Sequence, residues 1–592
     1  MSTLDKIKQA IAKAINAALK QKAVKASDLI YPPKPEFGDL SLPCYGIAKL
    51  FKKSAVEMAE FLVGANGRSP VPGGVISGVK AIGPFINFTL NKQKLAQGVI
   101  GEILKIQEQY GLNRAGKNKK IMVEFAHPNT HKAFHIGHLK NILIGEAIAR
   151  ILTVNGFKII RANYQGDIGP HIAKCLWGIS RLEKEYQTAA RAGAKARAEF
   201  LGRAYALGSQ NYETSEAAKQ EITALNKKIY DQDKSIIGLY RATRKWSLDY
   251  FAGIYKRLNT KFDRLYFESE VFAGGRRLVL KNLKKGIFEK SQGAVIFKGE
   301  TYGLHTRVFI NSEGNPTYEA KDMGLAELQF KEHNPEKIVH VVGPEQAEYF
   351  KVIIKALEII KPETKGREIH LPYGWVKLRE GKMSSRLGNV VLGEWLLDEA
   401  KKEVLKIMED KRNLKNKGQV AEKISSAAVK YSILKSGINT DIAFSLEESI
   451  SFSGASGPYL QYTYARINSV LRKSEIRNPK SETNPKSKIL NSKSQISKVN
   501  YAVLVEMKEA VLVNKMARYP EIVALAGKNY DPAEIAKYLF ELAREFNDYY
   551  QAVPVLKARA KIRQARLALI MAVKQTLANG LELLGIETVE EM

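Results

Sequence analysis

Two short segments carry residue types suited to chemistry on a phosphate. His135-Ile136-Gly137-His138 follows a strand-like stretch and opens a helical pattern. At a helix N-terminus, free backbone N–H groups and the helix dipole favour an anion, and two imidazoles can donate hydrogen bonds to phosphate oxygens. Gly137 would let a nucleotide approach the backbone closely. Taken alone, a pair of core or surface histidines accounts for the same residues, and zinc is disfavoured because no third ligand follows at a usual spacing. Far downstream, Lys382-Met383-Ser384-Ser385-Arg386 lies between Gly381 and Gly388. Cations and hydroxyls on such a loop can close over a triphosphate and stabilise the charge moving onto departing pyrophosphate. In isolation, a solvated basic turn is the plainer account of it.

The elements around the first segment point to a nucleotide-binding sheet. Ile121-Met122-Val123-Glu124-Phe125 reads as a strand; Leu139, Ile142, Leu143, Ile148, Ile151 and Leu152 mark one face of a helix, and Gly156 sits where a C-terminal cap is wanted. Lys158 to Ala162 is the next strand. This order is a parallel β-α-β unit, so a nucleotide is expected at the carboxyl ends of the strands. A stretch from 176 to 335 is expected as an insertion before a further apolar strand, Ile338-Val339-His340-Val341-Val342. Leu4, Ile7, Ile11, Ile15 and Leu19 form an amphipathic helix on an N-terminal α+β module, in which Gly83-Pro84-Phe85-Ile86-Asn87-Phe88 reads as a turn and strand. Expected domains are 1–115, 116–395 and a helical 396–592. Within the last, 474–498 is rich in Ser, Asn and Lys, contains Pro479 and Pro485, and reads as a disordered insertion.

Composition narrows the class. A chain of 592 residues suits three or four domains, and 93 Lys+Arg against 61 Asp+Glu leave a net charge of +32, which suggests a polyanionic partner. Apolar runs are too short to span a membrane, and the opening is amphipathic helix rather than a signal-peptide block. Cys44 and Cys175 are the two cysteines, too few for a disulfide framework or an all-cysteine zinc site. A soluble, intracellular nucleic-acid-binding protein is expected. Charge does not separate an enzyme from a passive RNA binder.

Together the two segments resemble the HIGH and KMSKS signatures of class I aminoacyl-tRNA synthetases. Pro128-Asn129-Thr130-His131-Lys132, Asn163-Tyr164-Gln165-Gly166-Asp167-Ile168-Gly169, Gly381 to Val391 and Gly457-Pro458-Tyr459-Leu460-Gln461-Tyr462 are similar to arginyl-tRNA synthetases, a resemblance covering nearly the whole chain. It implies a Rossmann-type doubly wound parallel sheet with an insertion, an N-terminal α+β module that binds tRNA and an all-α anticodon-binding domain. It also implies ATP with Mg²⁺ as substrate complex, no structural zinc, L-arginine and tRNA(Arg) as partners, and a monomer in the cytoplasm. His135, Gly137 and His138, with Lys382, Met383, Ser384, Ser385 and Arg386, would bind ATP; His135, His138, Lys132 and Lys382 would be catalytic. Ser385 departs from the class pattern, which has a second lysine there. Lys132 is favoured over Arg386 as the source of the missing charge.

A guanidinium pairs best with a carboxylate in a partly dry pocket. Tyr318 and Asp322, four apart, share one face if the segment is helical, and resemble the residues that read the guanidinium. By resemblance Glu268 is a second carboxylate, with a solvated surface acid as the alternative, and Asn129 and Gln346 hold the amino acid's backbone groups. Asp167 is taken as an active-site residue, with a helix-capping turn aspartate as the alternative. Tyr459 and Tyr462 resemble tyrosines near the anticodon loop; Tyr464, Arg466, Arg472 and Lys473 are interleaved with or follow them, and Phe546, Tyr549 and Tyr550 are expected in the core. Two other readings are a non-catalytic RNA-binding paralogue and a synthetase for another amino acid. The set His135, Gly137, His138, Lys382 and Asp322 weighs against the first, and the Tyr318/Asp322 pair against the second.

Overall fold

The computed structural model describes residues 1–64, 74–379, 392–410, 416–476 and 499–592. The chain opens with the helix Thr3–Leu19, which buries Leu4, Ile7, Ile11, Ile15 and Leu19. Ser2 caps it: its Oγ accepts from the Asp5 N–H (3.1 Å) and its own N–H donates to the Asp5 carboxylate (3.0 Å). Strands β1 (Leu40–Pro43), β2 (Ile76–Ile82) and β3 (Phe85–Leu90) form an antiparallel sheet in the order β1-β3-β2. This module packs onto the C-terminal helices. Lys8 pairs with Glu521 at 2.7 Å, and the Tyr110 hydroxyl donates to the Met516 carbonyl at 2.9 Å.

The central sheet is built from β4 (Lys120–Glu124), β5 (Lys158–Gln165) and β6 (Arg264–Phe267). After a small antiparallel sheet of β7 (Glu289–Ser291), β8 (Ala294–Phe297) and β9 (Arg307–Ile310), it is completed by β10 (Lys337–Val341) and β11 (Glu368–Leu371). All its pairings are parallel, in the order β11-β10-β4-β5-β6. The chain leaves β4 toward β5 on one side and returns at β10 on the other. The crevice between β4 and β10 is therefore the topological switch point, where a ligand is expected. β4 and β10 read as apolar runs because both faces are covered, with Met122, Val123, Ile338, Val339 and Val341 buried.

The stretch 176–335 is not one insertion: β6 lies inside it and belongs to the central sheet. Four residues at a sheet edge, Arg264-Leu265-Tyr266-Phe267, leave no apolar run to read in the sequence. Before β6, helices from Pro170 to Arg257 pack around a core of their own that includes Ile172, Leu176, Phe200, Ile222 and Trp246. After it, the helices Glu268–Leu283 and Tyr318–His333 cross closely at Gly275, where a Cβ would lie 1.8 Å from the Ala320 carbonyl oxygen. That contact sets the two helices side by side at the switch point.

The C-terminal part is helical apart from β13 (Ile442–Phe444), which pairs in parallel with β12 (Val376–Leu378). The helix Gly457–Ile476 runs through 474–476, assigned above to the disordered insertion. Ser474 fits there because its hydroxyl donates to the Leu471 carbonyl one turn back (2.6 Å). Residues 477–498 lie outside the described ones. Cys44 and Cys175 are buried and unpaired. Among the described residues no helix is long and apolar enough to cross a membrane, and no cluster of three His, Cys, Asp or Glu suits a metal ion.

Candidate active site

The link from β4 to the histidine segment holds non-glycine residues in left-handed conformations: Ala126, His127 and His131 have φ of 85°, 49° and 63°. Such backbone persists where surrounding bonds over-determine it. The Ala126 N–H donates to Asn141 (2.6 Å) and the His131 N–H to Ser247 (2.9 Å). The buried His131 ring lies between the hydroxyls of Thr243 (2.8 Å) and Thr130 (3.1 Å). The link delivers His135 as N-cap of the helix Ile136–Val154.

The rings of His135 and His138 stack 3.7 Å apart. His135 Nδ1 accepts from the Gly137 N–H (3.1 Å) and His138 Nδ1 from the His135 N–H (3.3 Å). Each Nδ1 is thus an acceptor, so each neutral ring carries its proton on Nε2. Burial, together with Lys132 beside His135, holds both below the usual imidazole range. Among the described residues the site presents two neutral N–H donors and a nearby ammonium, Lys132, which lies over the Tyr205 ring (5.2 Å).

Lys382, Met383, Ser384, Ser385 and Arg386 lie outside the described residues, but both flanks of their segment are placed. Upstream, β12 is paired to β13 and the Arg379 N–H donates to the Phe444 carbonyl (2.9 Å). Downstream, Leu392 forms an antiparallel bridge with His135, and the Gly393 N–H donates to the Phe134 carbonyl (3.0 Å).

At the switch point is a cavity of about 430 Å³, lined by all five residues expected to hold arginine: Asn129, Glu268, Tyr318, Asp322 and Gln346. Tyr318 and Asp322 stand one turn apart on a helix. Glu268 begins the helix that follows β6, and Gln346 ends a short turn after β10. Gly166 admits Asn129, since a Cβ there would lie 2.0 Å from Asn129 Oδ1.

The charges of the pocket are unequally matched. Buried Glu268 already accepts from buried Lys321 at 2.7 Å, which engages one of its oxygens and leaves the other without a partner among the described residues. Asp322 has no cation paired to it among the described residues; it accepts from the Tyr349 hydroxyl (2.7 Å), and burial pushes it up to about 8. Along the cavity floor Glu124 accepts from His340 Nδ1 (2.9 Å) and from Gln329. Burial alone would lower His340, but Glu124 raises it to about 9. Glu368, 3.9 Å from the other ring nitrogen, is raised by burial to about 7.

Sequence reasoning missed Glu124, His340, Tyr349, Arg307 and Glu319 as pocket-lining residues. The available signal was a charged or titratable residue in the middle of an apolar strand, as in Ile338-Val339-His340-Val341. Asp167 does not line the cavity. It is fully buried and accepts from the Ser269 N–H (2.9 Å), the Ser269 hydroxyl (2.7 Å) and Arg244 (2.8 Å), capping the helix that Glu268 begins.

Tyr459 and Tyr462 occupy a separate cluster on the helix Gly457–Ile476. Asn547 donates to the Tyr459 hydroxyl (3.0 Å), while Arg466 donates to the Tyr462 hydroxyl (2.8 Å) and to Asn547 (2.6 Å). Tyr464 is buried. Phe546 and Tyr549 are core, as expected, but Tyr550 is 38% exposed and lies against the Arg466 guanidinium (5.7 Å).

Residues 99–446 match the family model for the catalytic domain of tRNA synthetases class I (R), 460–592 that of the DALR anticodon binding domain, and 5–90 that of the arginyl tRNA synthetase N terminal domain. The parallel sheet, its histidine segment and the first of these matches define a class I aminoacyl-tRNA synthetase. Curated relatives named arginine–tRNA ligase include those of Borrelia hermsii, 31% identical over 99% of both chains, and Treponema denticola, 34% identical over 95% of this chain and 94% of that one. The chain belongs to the arginyl-tRNA synthetase family. In fold it is similar to the Thermus thermophilus arginyl-tRNA synthetase, with a TM-score of 0.78 at 24% identity over 99% of both chains.

Proposed function

We infer that the chain ligates L-arginine to tRNA(Arg) in two steps. The arginine carboxylate attacks the α-phosphate of Mg²⁺-bound ATP and pyrophosphate leaves; a ribose hydroxyl of the tRNA's terminal adenosine then takes the arginyl group from the resulting arginyl-adenylate and AMP leaves. No covalent enzyme intermediate is required, so catalysis is positioning plus stabilisation of charge on phosphate oxygens. The observation that carries this reading is a cavity at the switch point whose carboxylate Asp322 has no paired cation among the described residues, and whose lining residue Asn129 lies on the same link from β4 that delivers His135 and His138, two imidazoles with their Nδ1 atoms engaged as acceptors.

His135 and His138 donate to the ATP phosphates. Lys132 supplies the charge that Ser385 lacks, and Lys382, with Ser384 to Arg386, acts on the leaving pyrophosphate. Asp322 and Tyr318 read the guanidinium, Glu268 offers its remaining oxygen, and Asn129 and Gln346 hold the α-amino and carboxylate end. Asp167 acts through the helix it caps. The N-terminal module and the helical domain follow the tRNA, with Tyr459 and Tyr462 at the anticodon loop, in a monomer. Aminoacylation of total tRNA with each labelled amino acid in turn tests the reading. Arginine alone is expected to be charged; another amino acid would refute the pocket assignment, and no charging would favour a non-catalytic RNA binder.

A further inference from the structure

Asp322 is surrounded by titratable groups from every neighbouring element. Glu124 on β4 and His340 on β10 face it from the floor, Glu368 on β11 lies behind His340, and Tyr164 on β5 and Glu268, paired with Lys321, complete the wall. Among the described residues one side chain is bonded to the Asp322 carboxylate: Tyr349, whose hydroxyl donates to Oδ2 at 2.7 Å. The phenol is itself fixed. The Arg307 guanidinium lies over its ring (5.2 Å) and is held by Glu319 (3.2 Å), while Phe350 meets the ring edge-on at 5.5 Å. Tyr349 also stands three residues after Gln346, so one short segment serves both ends of a bound amino acid.

We propose that Tyr349 is a specificity-determining positioning residue: it commits one oxygen of Asp322 as an acceptor, leaves the other to face the ligand, and so sets the preference for a guanidinium over an uncharged isostere. This rests on the arginine reading of the pocket. An ionised carboxylate only accepts hydrogen bonds, whereas a neutral carboxyl presents an O–H donor. A neutral Asp322 suits the carbonyl oxygen of a urea, as in citrulline, and wastes the charge of arginine. Donation from the phenol favours the ionised form, against burial, which favours the neutral one. Without the hydroxyl, the carboxyl is free to turn and to keep its proton.

The test is Tyr349→Phe, which keeps the ring between Arg307 and Phe350 and removes the bond. Pyrophosphate exchange with tRNA present is measured for arginine and citrulline across pH 6.5 to 9, roughly spanning the ionisation of a raised carboxyl. The KM for arginine is expected to rise roughly tenfold with kcat nearly unchanged, as fits the loss of one bond to a charged group. The kcat/KM profile for arginine should move to higher pH, and the arginine-to-citrulline preference should fall. In an Asp322→Asn background the same change should add little. An unchanged KM and profile, an equal fall of kcat and kcat/KM, or losses that add fully to those of Asp322→Asn would overturn the proposal. Failure of the unsubstituted protein to activate arginine would instead overturn the reading beneath it.

Discussion

Glu124 and His340 stand directly opposite one another on adjacent parallel strands, and their side chains meet at 2.9 Å under the amino-acid pocket. Breaking a buried pair by removing one partner leaves a charge without compensation. Either Glu124→Gln or His340→Gln is expected to destabilise the chain by about 3–5 kcal/mol, and the double variant by less than the two together. The sign with pH follows from the directions. His340, raised to about 9, contributes stability that is present below its unfolded value and lost as pH rises through 9. Glu124, which burial would raise but His340 holds below the carboxylate range, contributes stability lost on acidification. Thermal unfolding from pH 5 to 9.5 should show a decline on the alkaline side that His340→Gln removes.

Asp322→Ala should raise the arginine KM about 100-fold or more, because the ligand's guanidinium would then be left with Glu268, whose charge Lys321 already matches. A change of twofold or less in steady-state exchange would remove Asp322 from recognition.

Arginine binding should release a proton near neutral pH. Asp322 is neutral in the empty pocket below about 8 and must ionise to pair with a guanidinium. Affinity therefore climbs as pH rises toward 8 and then levels. Calorimetry at pH 7 in two buffers of different ionisation enthalpy should report release of about one proton in the unsubstituted protein and none in Asp322→Asn.

Lys132→Ala should lower pyrophosphate exchange by about 100-fold or more, the scale of removing one preorganised charge from a developing anion. Arg386→Ala should lose less. Equal or reversed losses would assign the missing charge of Ser385 elsewhere.

Gly166→Ala places a methyl group on Asn129 Oδ1. The residue's backbone tolerates alanine, so the expected outcome is a misplaced Asn129: arginine KM up about tenfold with little change in melting temperature. A matched loss of stability and affinity would point to the backbone instead.

The legible parts of the site were those that chemistry confines to short segments. The histidine segment could be read because helix start, imidazoles and glycine fall within a few residues, and β4 because burial on both faces makes it a continuous apolar run, whereas β5, partly exposed and carrying Arg161, showed only Ile159-Ile160 after the Gly156 turn. β6 could not, since an edge strand of four residues with Arg264 and Tyr266 carries neither run nor alternation. The Glu124–His340 pair spans 216 residues, and nothing local to either names its partner. In the sequence Asp167 reads as an active-site residue because it sits among functional residues; the bonds that make it a cap come from Ser269 and Arg244, distant in sequence. The same holds for Tyr349, which reaches Asp322 from another helix, Ala347–Ile360, 27 residues further on. Tyr550 was misread because helical spacing alone does not say which aromatic of a cluster reaches the surface.

The seam between the N-terminal module and the C-terminal helices bears on how the chain is made. Tyr31 donates to Glu521 across 490 residues, and Lys8 pairs with the same carboxylate. At translation rates of about 5–20 residues per second, roughly 25–100 s pass between the synthesis of one side of this seam and the other. The first-made module must wait on the ribosome with an uncovered face, so a nascent chain stalled before the last helices should be a stronger chaperone client than the finished protein.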